Sequence, residues 1–416
     1  MVKKQIVIGA AELFDGKTKQ INKVIVIEGD KIIDIFGKTT LVAVTSDYEG
    51  IVTPAFIDAH SHIGMCREGE PASEEESNET LNQICPLNNP LDSIYFDDRG
   101  LKDAVDFGVL YSCVVPGSGN IVGGRAMIIK NYAANRSEAL VKDYGYKMAL
   151  GFNPRSTTEW KGERPHTRMG VYSLLEKTFD NLLIKKEKAI LDREKKIRTL
   201  KKELDEGKIT LASYELEVKV IFGEFSLEFS SEENALLDLL SGGKTAKVHV
   251  HKEDDILYLI GLVKKYGLRV TADHTCDVHH KEIFDELADN NIPVVYGPWE
   301  GAAYKVELKH AYYQNMSLLM ASKAFYGLMS DHPVVLARSL KESLKYFLIQ
   351  GMSEEEAISL ITYKNAMILG LDDTLGTVEQ GKTASLIVWD KNPLHLGAYP
   401  LAVIAEGRIL RDRTKK

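Results

Sequence analysis

The chain has 416 residues, 44% hydrophobic and 27% charged, the balance of a soluble globular protein large enough for a well-buried core. Its net charge of −8 and pI near 5.8 exert no long-range pull on phosphate backbones or anionic lipid, which argues against nucleic-acid and membrane partners and leaves a small-molecule substrate as the expected one. No apolar run is long enough to span a bilayer, and Cys66, Cys85, Cys113 and Cys276 are scattered without a Cys-x-x-Cys pair, which speaks against a disulfide framework or zinc ribbon and for a reducing cytoplasm.

The first ten residues resemble a signal peptide only superficially, because their apolar part is short and Glu12 and Asp15 follow at once; they read as a first β-strand. Residues 5–8, 23–28 and 31–36 predict short strands, with turns at Gly29-Asp30 and at Gly37. Residues 384–390 and 402–408 have the same texture. Both termini, 1–52 and 372–416, are therefore expected to build one small composite β-sandwich domain beside a mixed domain spanning 53–371.

An apolar run from Val52 ends in His60-Ser61-His62. Side chains alternate faces along a strand, so the two imidazoles point the same way, as half of a metal site requires. Taken alone, the pair is explained equally well by two exposed strand-end histidines. Residues 65–99 form a polar stretch too long for a plain connection and read as a functional loop or lid. A helix over 99–107 follows, then a buried strand over 109–115, a turn at Pro116-Gly117-Ser118-Gly119-Asn120, and strands over 126–131 and 147–150. Residues 173–225 are charged and helical, with a break at Glu206-Gly207-Lys208, which predicts an inserted helical hairpin with a solvated face.

The second half is the most regular. Strand 246–250 precedes helix 254–266, strand 268–273 precedes helix 278–288, strand 292–296 leads to helix 310–321, and strand 326–330 leads to helix 333–350. Four βα units call for a parallel sheet. A last helix, with Ser353 and Glu356 as a capping box, is expected to end at Gly370. Three of these strands end in metal-ligating residues: Val248-His249-Val250-His251, Ala272-Asp273-His274 and Ser330-Asp331-His332. In a (β/α)8 TIM-type barrel such strand ends converge on one mouth, so His60, His62, His249, His274 and Asp331 are the expected ligands of a divalent ion. Zinc suits this donor set first, then iron, manganese or nickel; one ion is expected, with a second left open.

These motifs are similar to those of the amidohydrolase superfamily of metal-dependent hydrolases. The likeness extends from Phe56-Ile57-Asp58-Ala59-His60-Ser61-His62 through His249, His274 and Asp331 to the C-terminal stretches beginning Thr362-Tyr363-Lys364-Asn365 and Gly376-Thr377-Val378-Glu379. Within the superfamily, Gly119-Asn120-Ile121-Val122-Gly123-Gly124 and the run from His249 to Ile256 resemble the imidazolonepropionase-like hydrolases. The resemblance implies hydrolysis of a carbon–nitrogen bond other than a peptide bond, an amide or cyclic amide, by hydroxide generated at the metal, with Asp331 as general base and acid. His274 or His251 would then donate to the oxyanion. Many members also bridge two metals through a carboxylated lysine or a glutamate on the fourth strand. Lys130 is the candidate for that place. Close relatives carry an acidic residue before the Asn-Pro that is here Asn153-Pro154, where this chain has Phe152.

Asn120 and Arg125 flank the Gly123-Gly124 turn and are candidates for binding a substrate carboxylate, and His166 is a candidate loop contact. His332 is expected to point away from the mouth. His279, His280, His310 and His395 read as surface histidines. The alternatives are a deaminase, disfavoured because His251-Lys252 stand where such enzymes place a glutamate, a metallo-dipeptidase, and a catalytically inactive binding relative. A homo-oligomer is left open.

Overall fold

Alternation of apolar residues makes the N-terminal segment a meander. Gln5–Phe14 (β1) turns at Asp15, whose Oδ1 accepts the Lys17 and Thr18 N–H groups, and returns antiparallel as Lys19–Glu28 (β2). Lys31–Gly37 (β3) pairs antiparallel with β2, and Tyr48–Pro54 (β4) lies parallel to β1. The structure, a computed structural model, describes residues 5–38, 45–156, 163–299 and 305–414; the first four residues of the signal-like stretch lie outside these.

The chain then enters an eight-stranded sheet: Phe56–Ser61 (β5), Val109–Val114 (β6), Val122–Lys130 (β7), Leu140–Ala149 (β8), Thr245–Val250 (β9), Arg269–His274 (β10), Val294–Tyr296 (β11) and Tyr326–Leu328 (β12), each beside the next. Seven strands run parallel, whereas β7 is antiparallel to both β6 and β8. The expected TIM-type barrel is present with one departure from strict (β/α)8 alternation, the reversed β7. The connections 115–121 and 131–139 are shorter than the dozen or so residues a parallel crossover needs, so the chain must double back there.

The sheet closes on itself between β12 and β5. Asn365, from the helix Tyr363–Leu369, donates to Ile57 O at 2.6 Å and Leu328 O at 2.8 Å and accepts from Leu328 N at 3.1 Å, a side chain filling a gap in the backbone ladder. Nearer the mouth, Asp331 N donates to His60 O and His62 N to His332 O, both at 3.0 Å. Asp58 completes the seam by accepting Ser330 N at 3.0 Å and the Ser330 hydroxyl.

Leu386–Trp389 (β13), Pro400–Ala405 (β14) and Arg408–Asp412 (β15) extend the first sheet, in the order β15-β14-β13-β4-β1-β2-β3. The expected sandwich is one seven-stranded sheet enclosing its own core of Ile8, Leu13, Ile25, Val52, Leu386, Val388 and Ile404. Trp389 joins it to the barrel floor, stacked on Phe56 and donating to Thr53 Oγ1 at 3.0 Å.

Two of the expected helices shrink. Residues 310–321 hold a 3-10 turn and the short helix Met316–Met320, and residues 333–350 hold the 3-10 run Ala337–Leu344 followed by Lys345–Ile349. The last expected helix is two, Glu354–Ser359 and Tyr363–Leu369, parted at Thr362, whose φ of −127° and ψ of −93° are not helical; Ser353 caps the first through Glu356 N. The charged insertion consists of Arg168–Asp205 and Leu211–Leu227, antiparallel, turning at Gly207 with φ +69°. The first of these helices is roughly 57 Å long. It buries only Val171, Leu175, Phe179 and Leu182. Beyond Leu182, Leu211–Leu227 is its neighbour, with Arg193 lying over Phe222 and Phe225.

Candidate metal centre

Three histidines are oriented by the same device. His60 Nδ1 lies 2.6 Å from Asp273 Oδ2, His62 Nδ1 lies 2.7 Å from Val115 O, and His274 Nδ1 lies 3.0 Å from Gly297 O. An Nδ1–H donated to an oxygen fixes the tautomer and turns the Nε2 lone pair away from that oxygen, as metal-ligating histidines require. In the opposite tautomer, His249 Nε2 meets Glu307 Oε1 at 3.3 Å and Nδ1 is left over. His249 Nδ1, His251 Nδ1 and His274 Nε2 are buried with no hydrogen-bond partner, an expensive arrangement for imidazoles unless something else occupies the lone pairs.

These free atoms converge. His249, His251 and His274 each offer a nitrogen within 4.8 Å of the others, and His60, His274 and Asp331 form a second such group, so His274 is common to both. Asp331 Oδ1 lies 3.1 Å from His62 Nε2 and 3.5 Å from His60 Nε2. All six residues proposed from strand-end motifs, His251 included, therefore meet at one end of the barrel. Burial, followed by Lys147 at His60 and by the neighbouring histidines at His251 and His274, holds these three imidazoles well below their usual range, and burial lowers His249 too, so all four keep neutral, lone-pair-bearing rings. Burial alone would raise the Asp331 carboxyl, but His62, His60 and Lys147 outweigh it and hold it well below the carboxylate range. Neutral imidazoles around one ionised carboxylate form a donor set that fits a divalent ion of the zinc class.

Backbone conformation explains how adjacent residues share the mouth. Asp273 faces inward from β10, and alternation would send His274 to the other side. His274 instead leaves the strand with φ +81°, followed by Thr275 at +56°, and Asp331 has φ +51°. Left-handed backbone at non-glycine residues costs energy and gathers at functional sites.

Four buried groups were missed in the sequence. Lys147, on the fourth barrel strand β8, is wholly buried with Nζ 3.2 Å from His60 Nε2, and burial pulls its pKa down to about 8. Lys247, two residues before His249 and also wholly buried, places Nζ 3.0 Å from Asp273 Oδ2, close enough to pair though not aligned as a hydrogen bond. Lysines inside otherwise apolar strands were the available signal for both. Asp273 was visible only as the neighbour of His274. Glu307 had no signal: it comes from a 3-10 turn after β11, and its Oε2 accepts Phe152 N at 2.8 Å. The carboxylate absent from position 152 thus arrives from elsewhere in the chain. Gly151, at φ +79°, leaves it room, since a Cβ there would stand 2.8 Å from Glu307 Oε2.

Lys130 does not belong to this centre. Because β7 runs antiparallel, its last residue pairs with Tyr111 near the start of β6, at the far end of the barrel from His60, and Lys130 Nζ is held 2.7 Å from Glu406 Oε1. Arg125 is committed to Asp143 across the β7–β8 pair. The Asn120 amide donates to the Glu79 and Asn82 carbonyls, each at 2.8 Å, and Gly117 N donates to Ser77 O at 2.7 Å, so this turn anchors the 65–99 loop. His166 is exposed, just before the Thr167 that caps the long helix. His332 is buried, its Nε2 3.3 Å from Cys66 O beneath the same loop.

The profile of the Amidohydrolase family matches residues 234–410. The chain is 26% identical over 389 residues to Amidohydrolase tasK of Hapsidospora irregularis, covering 88% of this chain and 37% of that protein, so it spans little more than a third of that relative's length. An amidohydrolase from Thermotoga maritima MSB8 superimposes with a TM-score of 0.80 at 26% identity, over 98% of this chain and all (100%) of that one. A Xaa-Pro dipeptidase solved with methionine in its active site shares the fold at 15% identity and a TM-score of 0.54, covering 98% of this chain and 100% of its own. The family's profile falls on the strands that carry His249, His274 and Asp331, and the Thermotoga maritima amidohydrolase matches from end to end, so all three comparisons point to the amidohydrolase superfamily.

Proposed function

We propose that this protein is a metal-dependent hydrolase that opens a carbon–nitrogen bond, an amide or a cyclic amide, at the mouth of the barrel. Buried imidazole nitrogens without hydrogen-bond partners on His249, His251 and His274, three residues gathered in one group that shares His274 with the group of His60 and Asp331, carry the proposal. His60, His62, His249, His274 and Asp331 would hold the ion, with zinc the first candidate. Bound there, a divalent cation lowers the pKa of a coordinated water from near 16 to ~7 and so supplies a nucleophile at neutral pH.

The residues divide the remaining work. Asp331, ionised and beside His62, accepts the proton of the attacking water and passes it to the leaving nitrogen. His274 donates Nδ1–H to Gly297 O and turns Nε2 to the ion, so it has no N–H left for substrate. Hydrogen bonding to the oxyanion therefore falls to His251, whose ring lies 4.8 Å from those of both His249 and His274. Lys147 takes the fourth-strand place expected for Lys130. Carboxylation of its amine would replace a cation with an anionic ligand beside His60, which favours a second ion.

The test is turnover of N-acyl amino acids, dipeptides and imidazolone-type rings by the full chain loaded with zinc. Hydrolysis of at least one class, abolished by a chelator and restored by zinc, is expected. No turnover by the loaded protein would overturn the proposal in favour of a binding role, and release of ammonia from an aminated ring alone would favour the deaminase.

A further inference from the structure

The loop that leaves β10 carries Asp277, His279 and His280, and the segment after Leu308 carries His310. These histidines, expected to be surface residues, are gathered in the structure. The rings of His279 and His310 lie 4.2 Å apart at an interplanar angle of 36°, and those of His279 and His280 lie 4.5 Å apart. Asp277 is buried; its Oδ1 accepts His310 N at 2.6 Å and its Oδ2 lies 3.4 Å from His310 Nδ1. His279 Nδ1 lies 2.8 Å from Asp277 O, and His280 Nδ1 lies 2.9 Å from Glu253 Oε2. Asp277, His279 and His310 each offer a ligand atom within 4.8 Å of the others, and so do Glu253, His279 and His280.

Each of the three rings pins Nδ1 on an oxygen, the device that orients the ligands of the barrel centre. We propose that this cluster is a second divalent transition-metal site, separate from the barrel centre, in which Asp277, His279 and His310 hold the ion with Glu253 and His280 beside them. Imidazole with carboxylate selects zinc, nickel or copper over magnesium or calcium. Lys252 Nζ, 3.8 Å from Asp277 Oδ2, competes for that oxygen and sets the affinity below that of the barrel centre. An ion here clips together two segments that adjoin site residues: His274 ends the strand before the first, and Glu307, bonded to His249, stands three residues before His310.

The test is equilibrium dialysis of the full chain, its barrel centre already filled with zinc, against micromolar nickel, with metal counted by plasma emission. The wild type is expected to take up about one more equivalent than His279→Ala/His310→Ala and to show a higher Tm when loaded, while His310→Gln binds roughly tenfold more weakly or worse. Equal uptake by wild type and double variant, or uptake by the wild type only at millimolar nickel, would overturn the proposal. Circular dichroism matching wild type in both variants excludes misfolding as the source of any loss.

Discussion

Lys147 Nζ lies 3.2 Å from His60 Nε2, both wholly buried, on strands that are not neighbours in the barrel sheet. Removing the amine should be felt at the metal. Lys147→Met is expected to lower metal affinity or turnover by roughly 10–100-fold, whereas Lys130→Met breaks only a partly exposed pair with Glu406 and changes stability by about 0–1 kcal/mol. Metal stoichiometry and kcat/KM of the two variants check both statements.

Asp273 stands between His60 and Lys247, 2.6 Å from one and 3.0 Å from the other, with no exposure. Asp273→Asn leaves the buried Lys247 charge without its partner, and a loss of about 3–5 kcal/mol is expected in urea unfolding. Asp273→Asn/Lys247→Met should be more stable than the single variant. A double variant no better than the single one would show that the pair is not coupled.

Asp331 is the expected proton carrier. Asp331→Asn keeps the side chain's shape and removes the charge, so kcat should fall by roughly 10²–10⁴-fold while circular dichroism is unchanged.

Acid should destabilise the metal-free protein through its buried imidazoles. His60, His249, His251 and His274 have pKa values lowered by folding, so below about pH 6.5 the unfolded chain takes up protons that the folded chain refuses, and stability falls as pH falls. Each contributes up to about 1.4 kcal/mol per pH unit below that point. Urea midpoints at pH 7.5 and 5.5 measure the slope, which His251→Asn should make shallower.

Asn365 supplies three hydrogen bonds at the β12–β5 seam. Asn365→Ala orphans the groups it served and is expected to cost about 2–4 kcal/mol in thermal or urea unfolding.

Much of the centre was legible in the chain. His60 and His62 stand out because strand alternation leaves a fixed spacing, and His249, His274 and Asp331 because each follows an apolar run of strand length. Such patterns are local, and local sterics impose them wherever a strand forms. The helix expected over 99–107, observed as Arg99–Asp106, and the break at Gly207 were readable from equally local helix signals. The seam closed by Asn365 was not, nor was the reversal of β7 that carries Lys130 to the far end, because the strand bounds read from the sequence left connections long enough for a crossover. Lys147, Lys247 and Glu307 became site residues only through packing: a lysine in a strand is costly until a carboxylate from another strand faces it, and Glu307 reaches His249 across 58 positions of sequence. Residue spacing along one strand therefore determined which imidazoles could act together, while closure of the barrel decided which charges surround them, because contacts between distant segments leave no periodic trace in the order of residues.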